Sequence, residues 1–205
     1  MAEMYNGREV QTTMVNYPDG RKSTVSAVRV AAGRRGMELE KEINLTNDYY
    51  LSQDKAVIHK KPTPVTIVQV DYPARNKAKI TEAYFKVPST TDYNGIYRGK
   101  YIDFEAKECR SRTSFPLKSI HPHQLEHLKS VTRHGAVAFV IIRFIEYDET
   151  YLIDAMEMIS RIASDDRSSI PYSWFRDCGH LIPSTYLKPV DYLQTVDEVY
   201  FKENN

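Results

Sequence analysis

A run of alternating side chains between Thr90 and Lys107 limits the fold of this chain more than any other feature. It is typical of a strand, a tight turn and a second strand. Because successive side chains of a strand point to opposite faces, Asp103, Glu105 and Lys107 would share one face of the second strand. The residues between them are apolar, so the other face would pack against a core. The pattern predicts a half-buried hairpin with a charged row along one side.

Two acids and a lysine in one row are unusual on such a strand, because like charges repel and buried charges are costly. A divalent cation held between Asp92 and Glu105 would relieve that repulsion, since Mg²⁺ needs only one or two carboxylates and keeps several waters. Lys107 would then orient an attacking water or neutralise charge on a phosphate. Asp103, one step back, would support the site indirectly or pair with a basic residue. The row therefore predicts a metal-dependent site for phosphodiester hydrolysis.

The order of Asp92 and Glu105-Ala106-Lys107 resembles the PD-(D/E)xK nuclease signature. The flanking sequence is more specific and resembles the RecU family, the Holliday junction resolvases of Gram-positive bacteria. This resemblance is strong over residues 35–144 and looser at both ends. The segments that carry it are residues 35–37, 57–65, 82–86, 89–108 and 113–117, together with His123-Gln124.

The resemblance implies an α/β fold of the restriction-endonuclease type, with a mixed central sheet flanked by helices. It implies an endonuclease that cuts four-way DNA junctions with Mg²⁺, for which Mn²⁺ can substitute. It adds Thr90 and Gln124 to Asp92 and Glu105 as metal-site residues, and nucleases of this type place a glutamate of the first helix near the metal, here Glu40. Paired cuts on a nearly two-fold symmetric junction favour a C2 homodimer, and the family also implies contact with the bacterial recombinase.

Charge is concentrated in the middle of the chain, where residues 55–130 carry fourteen Lys and Arg against seven Asp and Glu. A basic surface around an acidic centre suits a phosphate polymer, because Lys and Arg release counterions from its backbone. Residues 62–82 include a hydrophilic projection, which the resemblance interprets as a stalk that enters the junction. The predicted phosphate contacts are Arg35, Lys60, Arg75, Lys77 and Lys79.

Length and composition are those of one globular domain with room for a core, in a chain of 205 residues that is 41% hydrophobic. We expect a flexible basic arm with one short strand over residues 1–34 and a nuclease domain over residues 35–205. No apolar run is long enough to cross a membrane, and the polar start does not resemble a signal peptide. With only two cysteines, a reducing cytoplasm is the expected location.

Periodicity predicts the remaining elements. The first helix would place Glu40 in an apolar stripe with Ile43 and Tyr50, and the strand over residues 150–154 would lie at a sheet edge. Helices are predicted over residues 36–51, 122–133, 155–163 and 190–201, with a short one near Trp174, and strands over residues 56–59, 65–70, 80–87, 136–144 and 150–154.

Two other functions fit parts of the pattern. A restriction-type nuclease on the same scaffold would cut linear duplex at a short recognition sequence. A non-catalytic protein would bind junctions or modulate a recombinase, although the presence of Asp92, Glu105 and Lys107 argues against a lost site. His123 and His127 have half the spacing of a zinc site but no partner to complete it, so DNA contact or a surface role is the expectation for them.

Overall fold

The computed structural model describes residues 4–5, 8–9, 12–16, 22–26, 39–74, 76–86, 90–164 and 166–202. Two short helical turns, at Leu117–Ser119 and Ile145–Tyr147, supplement the main elements. In chain order these elements are β1 (Met4–Tyr5), β2 (Arg8–Glu9), β3 (Thr12–Asn16), β4 (Lys22–Ser26), α1 (Leu39–Ser52), β5 (Val57–Lys60), β6 (Val65–Asp71), β7 (Lys79–Phe85), β8 (Tyr93–Tyr97), β9 (Lys100–Cys109), β10 (Ser114–Pro116), α2 (Pro122–Arg133), β11 (Val137–Phe144), β12 (Glu149–Asp154), α3 (Ala155–Ala163), β13 (Ser169–Pro171), α4 (Tyr172–Cys178), β14 (His180–Leu181) and α5 (Tyr192–Tyr200).

Six strands form the central sheet in the order β14-β12-β11-β9-β8-β5. Only β9 and β11 pair in parallel, and the other neighbours are antiparallel, so the sheet is mixed as predicted. The predicted edge position of β12 is wrong, because the two-residue strand β14 pairs with its outer side. A strand that short leaves no periodic pattern in the sequence.

Strand β11 forms the centre of the sheet and is buried along its whole length. Its near-continuous apolar sequence reflects cover on both faces. One core cluster packs α1 and α5 against the sheet, through residues such as Ile43, Leu193 and Phe104. The second cluster packs α2, α3 and α4 against the opposite face, through residues such as Leu128 and Met158. The α/β architecture with helices on both sides of a mixed sheet is therefore confirmed.

A tight turn between β8 and β9 sets the register of the charged row. Arg98 and Gly99 both have positive φ, 49° and 73°, as expected for the two-residue hairpin turns whose twist matches that of the flanking strands. The resulting pairs include Tyr93 with Phe104 and Asn94 with Asp103. The turn thus fixes which residues of β8 lie beside the acids of β9.

Helix α2, which lies over the charged row, has clear start and stop signals. Pro122 occupies its first turn, and the backbone N–H of His121 donates to Gln124 Oε1 at 2.9 Å. Gly135 follows the helix with φ of 87°, the left-handed conformation that ends many helices. The predicted bounds of α2 and α3 agree with the structure.

Strands β6 and β7 form a separate two-stranded ribbon, which we call the ribbon. Nearly all of its side chains are exposed, including apolar ones such as Ile67 and Ile80. Within the expected N-terminal arm, β1 pairs with β2 and β3 pairs with β4, which is more pairing than the single short strand predicted there. In the described part of the chain, no helix has the length and apolar character needed to span a membrane.

Candidate active site

Strand β9 carries the charged row on the face that α2 covers. Ile102 and Phe104 belong to the core cluster under α1 and α5, so the residues that alternate with them face the other way. Asp103 and Glu105 are fully buried there, and the Lys107 side chain is about one quarter exposed (23%). The row that was predicted to be half-buried thus consists of two buried acids, Asp103 and Glu105, and the partly exposed ammonium of Lys107, which is its open end.

Asp92 reaches this row from the residue before β8. Its backbone N–H donates to Glu105 Oε2 at 3.2 Å. Burial, followed by the adjoining Asp92 carboxylate, raises the pKa of Glu105 to about 7. The two carboxylates are therefore close enough for each to oppose the charge of the other.

Lys107 offsets part of that repulsion. Its Nζ lies 2.5 Å from Glu105 Oε1, and its positive charge acts to lower the Glu105 pKa. Oε1 itself is buried, with the Lys107 ammonium as its partner. Asp92, Glu105 and Lys107 thus converge as the sequence pattern requires, and one carboxylate oxygen retains an unused lone pair.

Asp103 is the most highly connected side chain of the row. Its Oδ2 accepts from Lys61 Nζ at 2.9 Å and Tyr101 Oη at 2.9 Å, and lies 3.1 Å from His127 Nε2. Its Oδ1 accepts from the Thr91 hydroxyl. The sequence predicted that Asp103 could pair with a basic residue but did not identify Lys61. It predicted that His127 contacts DNA or lies at the surface. Both partners lie far away in sequence, and only the fold brings them to β9.

Thr90 and Gln124, the other predicted metal-site residues, lie in the segment before β8 and on α2. Thr90 is half-buried and precedes Asp92 by two residues. Gln124 is buried on α2, and its Oε1 accepts from the backbone of His121 at 2.9 Å. That oxygen retains one lone pair, since a carbonyl oxygen has two.

Glu40 lies outside the buried stripe of the first helix, although periodicity predicted it inside that stripe. Glu40 is exposed and pairs with Lys60, with Nζ 2.5 Å from Oε1. The buried acid of α1 is Glu42, which pairs at 2.5 Å with Arg143 of β11 under the opposite face of the sheet. The error arises because the buried stripe of α1 runs through Leu39, Glu42 and Ile43 and not through Glu40.

The predicted phosphate contacts lie on different elements. Lys60 is the last residue of β5 and forms an ion pair with Glu40. Lys77 and Lys79 are exposed at the tip of the ribbon. Arg35 and Arg75 lie outside the described residues.

The cluster offers fewer ligands than a complete protein cage. Among the residues that the structure describes, no three His, Cys, Asp or Glu side chains are arranged to hold a metal ion. Mg²⁺ does not require such a cage, because it binds through one or two carboxylates and completes its octahedron with water. The buried Oε1 of Glu105 lies beside Asp92 as well as Lys107 and fits a hard cation, since a bound cation would separate the two like charges of the carboxylates.

A mixed sheet with Glu105 and Lys107 on β9 and Asp92 just before β8 has the arrangement that the PD-(D/E)xK signature describes. Comparison with known proteins identifies the family. The family model described as RecU, Recombination protein U, matches residues 34–198. The chain belongs to the RecU family.

Curated relatives extend this match over nearly the whole chain. "Holliday junction resolvase RecU" of Oceanobacillus iheyensis is 52% identical over 91% of this chain and 100% of its own length. The protein of the same name from Shouchella clausii is 50% identical over 91% of this chain and 95% of its own length. A solved structure of Archaeoglobus fulgidus Hjc, a Holliday junction resolvase, covers 68% of this chain and 94% of its own, with 11% identity and a TM-score of 0.40, too low to compare individual residues.

Proposed function

We propose that this chain is a structure-specific endonuclease that resolves four-way DNA junctions by metal-dependent hydrolysis of phosphodiester bonds, in recombination and DNA repair. The observation that carries the proposal is the convergence of Asp92 and Lys107, both partly exposed, on the buried carboxylate of Glu105. Membership of the RecU family, whose curated members are named Holliday junction resolvases, supports the choice of substrate.

The proposed cofactor is Mg²⁺, with Mn²⁺ able to substitute. Asp92 and Glu105 would hold the ion, with Thr90 and Gln124 contributing directly or through water. Bound there, the ion would act as a Lewis acid toward the scissile phosphate and would lower the pKa of a coordinated water. The raised pKa of Glu105 supports this assignment, because burial and the adjoining Asp92 carboxylate disfavour the charged form that a bound cation would favour.

Lys107 has two tasks in this proposal. Its ammonium lies at the open end of the row, close to Glu105 Oε1, where it would orient the attacking water. The same charge would stabilise the negative charge that develops on the phosphate, in a site that excludes bulk water and so strengthens electrostatic interactions.

The basic residues supply affinity and not chemistry. Lys77 and Lys79 on the ribbon, with Lys60 beside the site, are proposed to contact phosphates, and Arg35 and Arg75 belong to the same set. Phosphate contacts fix the position of a protein on DNA without reading its sequence. A projecting ribbon suits a branched substrate, because it can enter the space between arms that a linear duplex lacks.

The assembly proposed for this reaction is a C2 homodimer acting in the cytoplasm, with the bacterial recombinase as a further partner. Two identical sites related by a two-fold axis match the two symmetric cuts that resolution requires.

The test uses purified protein with labelled four-way junction and with linear duplex of the same sequence, in Mg²⁺ or in EDTA. Symmetric nicks on the junction in Mg²⁺ alone are the expected result. Cutting of the linear duplex would favour a restriction-type nuclease, and junction binding without nicks in Mg²⁺ would favour a non-catalytic junction-binding protein.

A further inference from the structure

Lys61 lies at the point where the chain leaves the sheet for the ribbon. We propose that Lys61 is a positioning residue: through Asp103 and Thr91 it holds both ends of the ribbon on the catalytic strand and thereby fixes Asp92 against Glu105. This inference deepens the proposed function and rests on it. It assigns a role to a lysine that does not contact the carboxylate pair itself.

The contacts of Lys61 join three segments. Its Nζ donates to Asp103 Oδ2 of β9 and to Thr91 Oγ1, each at 2.9 Å. Its backbone N–H donates to the carbonyl oxygen of Asp92 at 2.7 Å. One residue therefore binds the catalytic strand by its side chain and the backbone of a proposed metal ligand by its main chain.

The position of these contacts along the chain explains their effect. The ribbon begins four residues after Lys61 and ends six residues before Thr91. Lys61 is thus at the base of the outgoing leg and Thr91 at the base of the returning leg. Because Thr91 directly precedes Asp92, a shift of the returning leg would move the Asp92 backbone whose N–H reaches Glu105.

Burial makes this junction stiff. Asp103 is fully buried, and the Lys61 side chain is only 18% exposed. Loss of one partner of a buried pair leaves an uncompensated charge, so the arrangement resists rearrangement. Tyr101 and His127 hold the same carboxylate from β9 and α2, which leaves Asp103 little freedom to follow a displaced lysine.

The test compares Lys61→Met and Lys61→Arg with a matched control, Lys188→Met. Lys188 also pairs with a buried aspartate, Asp191. The side-chain exposures are 26% for Lys188 and 2% for Asp191, close to the 18% of Lys61 and the 0% of Asp103. The control pair belongs to the segment before α5, away from the site. Direct binding of Mn²⁺ to the DNA-free protein is followed by the paramagnetic resonance signal of free Mn²⁺. Single-turnover nicking of the junction is measured across Mn²⁺ concentration, and junction binding is measured in EDTA.

Lys61→Met is expected to weaken Mn²⁺ binding about tenfold or more, the range seen when partners of metal ligands are removed. The Mn²⁺ midpoint for nicking should rise by the same factor. Junction affinity in EDTA should fall too, because Lys61 also fixes the base of the ribbon that bears Lys77 and Lys79. Lys61→Arg should recover most of the Mn²⁺ affinity, because it keeps the charge and donors. Lys188→Met should lose stability without a change in Mn²⁺ affinity.

Wild-type Mn²⁺ affinity in a folded Lys61→Met protein would overturn the positioning role, as would an equal loss in Lys188→Met. If Lys61→Met does not fold, Thr91→Val tests the same link at constant volume, and an unchanged Mn²⁺ affinity there would overturn it too. A wild type that neither binds Mn²⁺ nor nicks the junction would refute the proposed function itself, and the positioning role with it.

Discussion

Replacing Glu105 by glutamine should stabilise the metal-free protein at alkaline pH. The side chain keeps its shape but loses the charge that burial and Asp92 disfavour. The pKa of Glu105 rises from 4.5 to about 7, and at about 1.4 kcal/mol per unit this corresponds to roughly 3 kcal/mol of destabilisation when the group is charged. The amide must still be satisfied in a buried site and Lys107 loses a partner, so we expect a net gain of about 1–3 kcal/mol.

The sign of the pH dependence follows from the direction of the shift. Because the pKa of Glu105 is higher in the folded than in the unfolded chain, the folded protein holds a proton that the unfolded chain has already lost. The stabilising contribution of protonated Glu105 is fully present below pH 4.5, its unperturbed pKa, and is lost as pH rises through about 7. Urea unfolding in EDTA at about pH 5 and about pH 8.5 should show this decline in the wild type and not in Glu105→Gln.

Glu42→Gln is the matched control, since Glu42 is also buried with a cation at 2.5 Å, there Arg143. Glu105 has Lys107 at the same distance but also has the Asp92 carboxylate beside it. Glu42→Gln should lose stability at both pH values, because it weakens a buried ion pair. The reasoning would be refuted if Glu105→Gln were no more stable than the wild type at the higher pH while the wild type showed no decline. It would also be refuted if both glutamine variants shifted stability in the same direction.

Three further outcomes follow from the geometry. Lys107→Ala should slow nicking by about a hundredfold or more, as expected for loss of a charge that stabilises the transition state. Junction binding in EDTA should persist. Equal loss of nicking and of junction binding would contradict the division between chemistry and affinity. Replacing Lys77 and Lys79 together by alanine should weaken junction binding and reduce the slope of log affinity against log salt by about two, and an unchanged slope would remove the ribbon tip from the interface. Gly95→Ala should lower the unfolding free energy by about 3 kcal/mol, because its Cβ would lie 2.0 Å from the carbonyl oxygen of Val57. Chemical denaturation measures this loss. An unchanged unfolding free energy would mean that β5 and β8 can separate.

Sequence reasoning succeeded where the signal is local. Strand alternation assigned Glu105 and Lys107 to one face of β9, and periodicity with a proline start and a glycine end gave α2 its correct bounds. These features depend on residues a few positions apart, so a single sequence contains them.

It failed where contacts cross the chain. Lys61 and Asp103 are 42 positions apart, and their pairing depends on β5, β8 and β9 lying side by side. Periodicity wrongly placed Glu40 in the buried stripe of α1, because the rotation of the helix against the sheet buries Glu42 instead. The missed edge strand β14 has only two residues, too few for any pattern.

The ribbon contributes no residue to either core cluster of the described chain. A lone two-stranded hairpin is marginally stable in water, so its amides should exchange with deuterium far sooner than those of β11. A change in the length of the ribbon should therefore leave the stability of the central sheet unaltered.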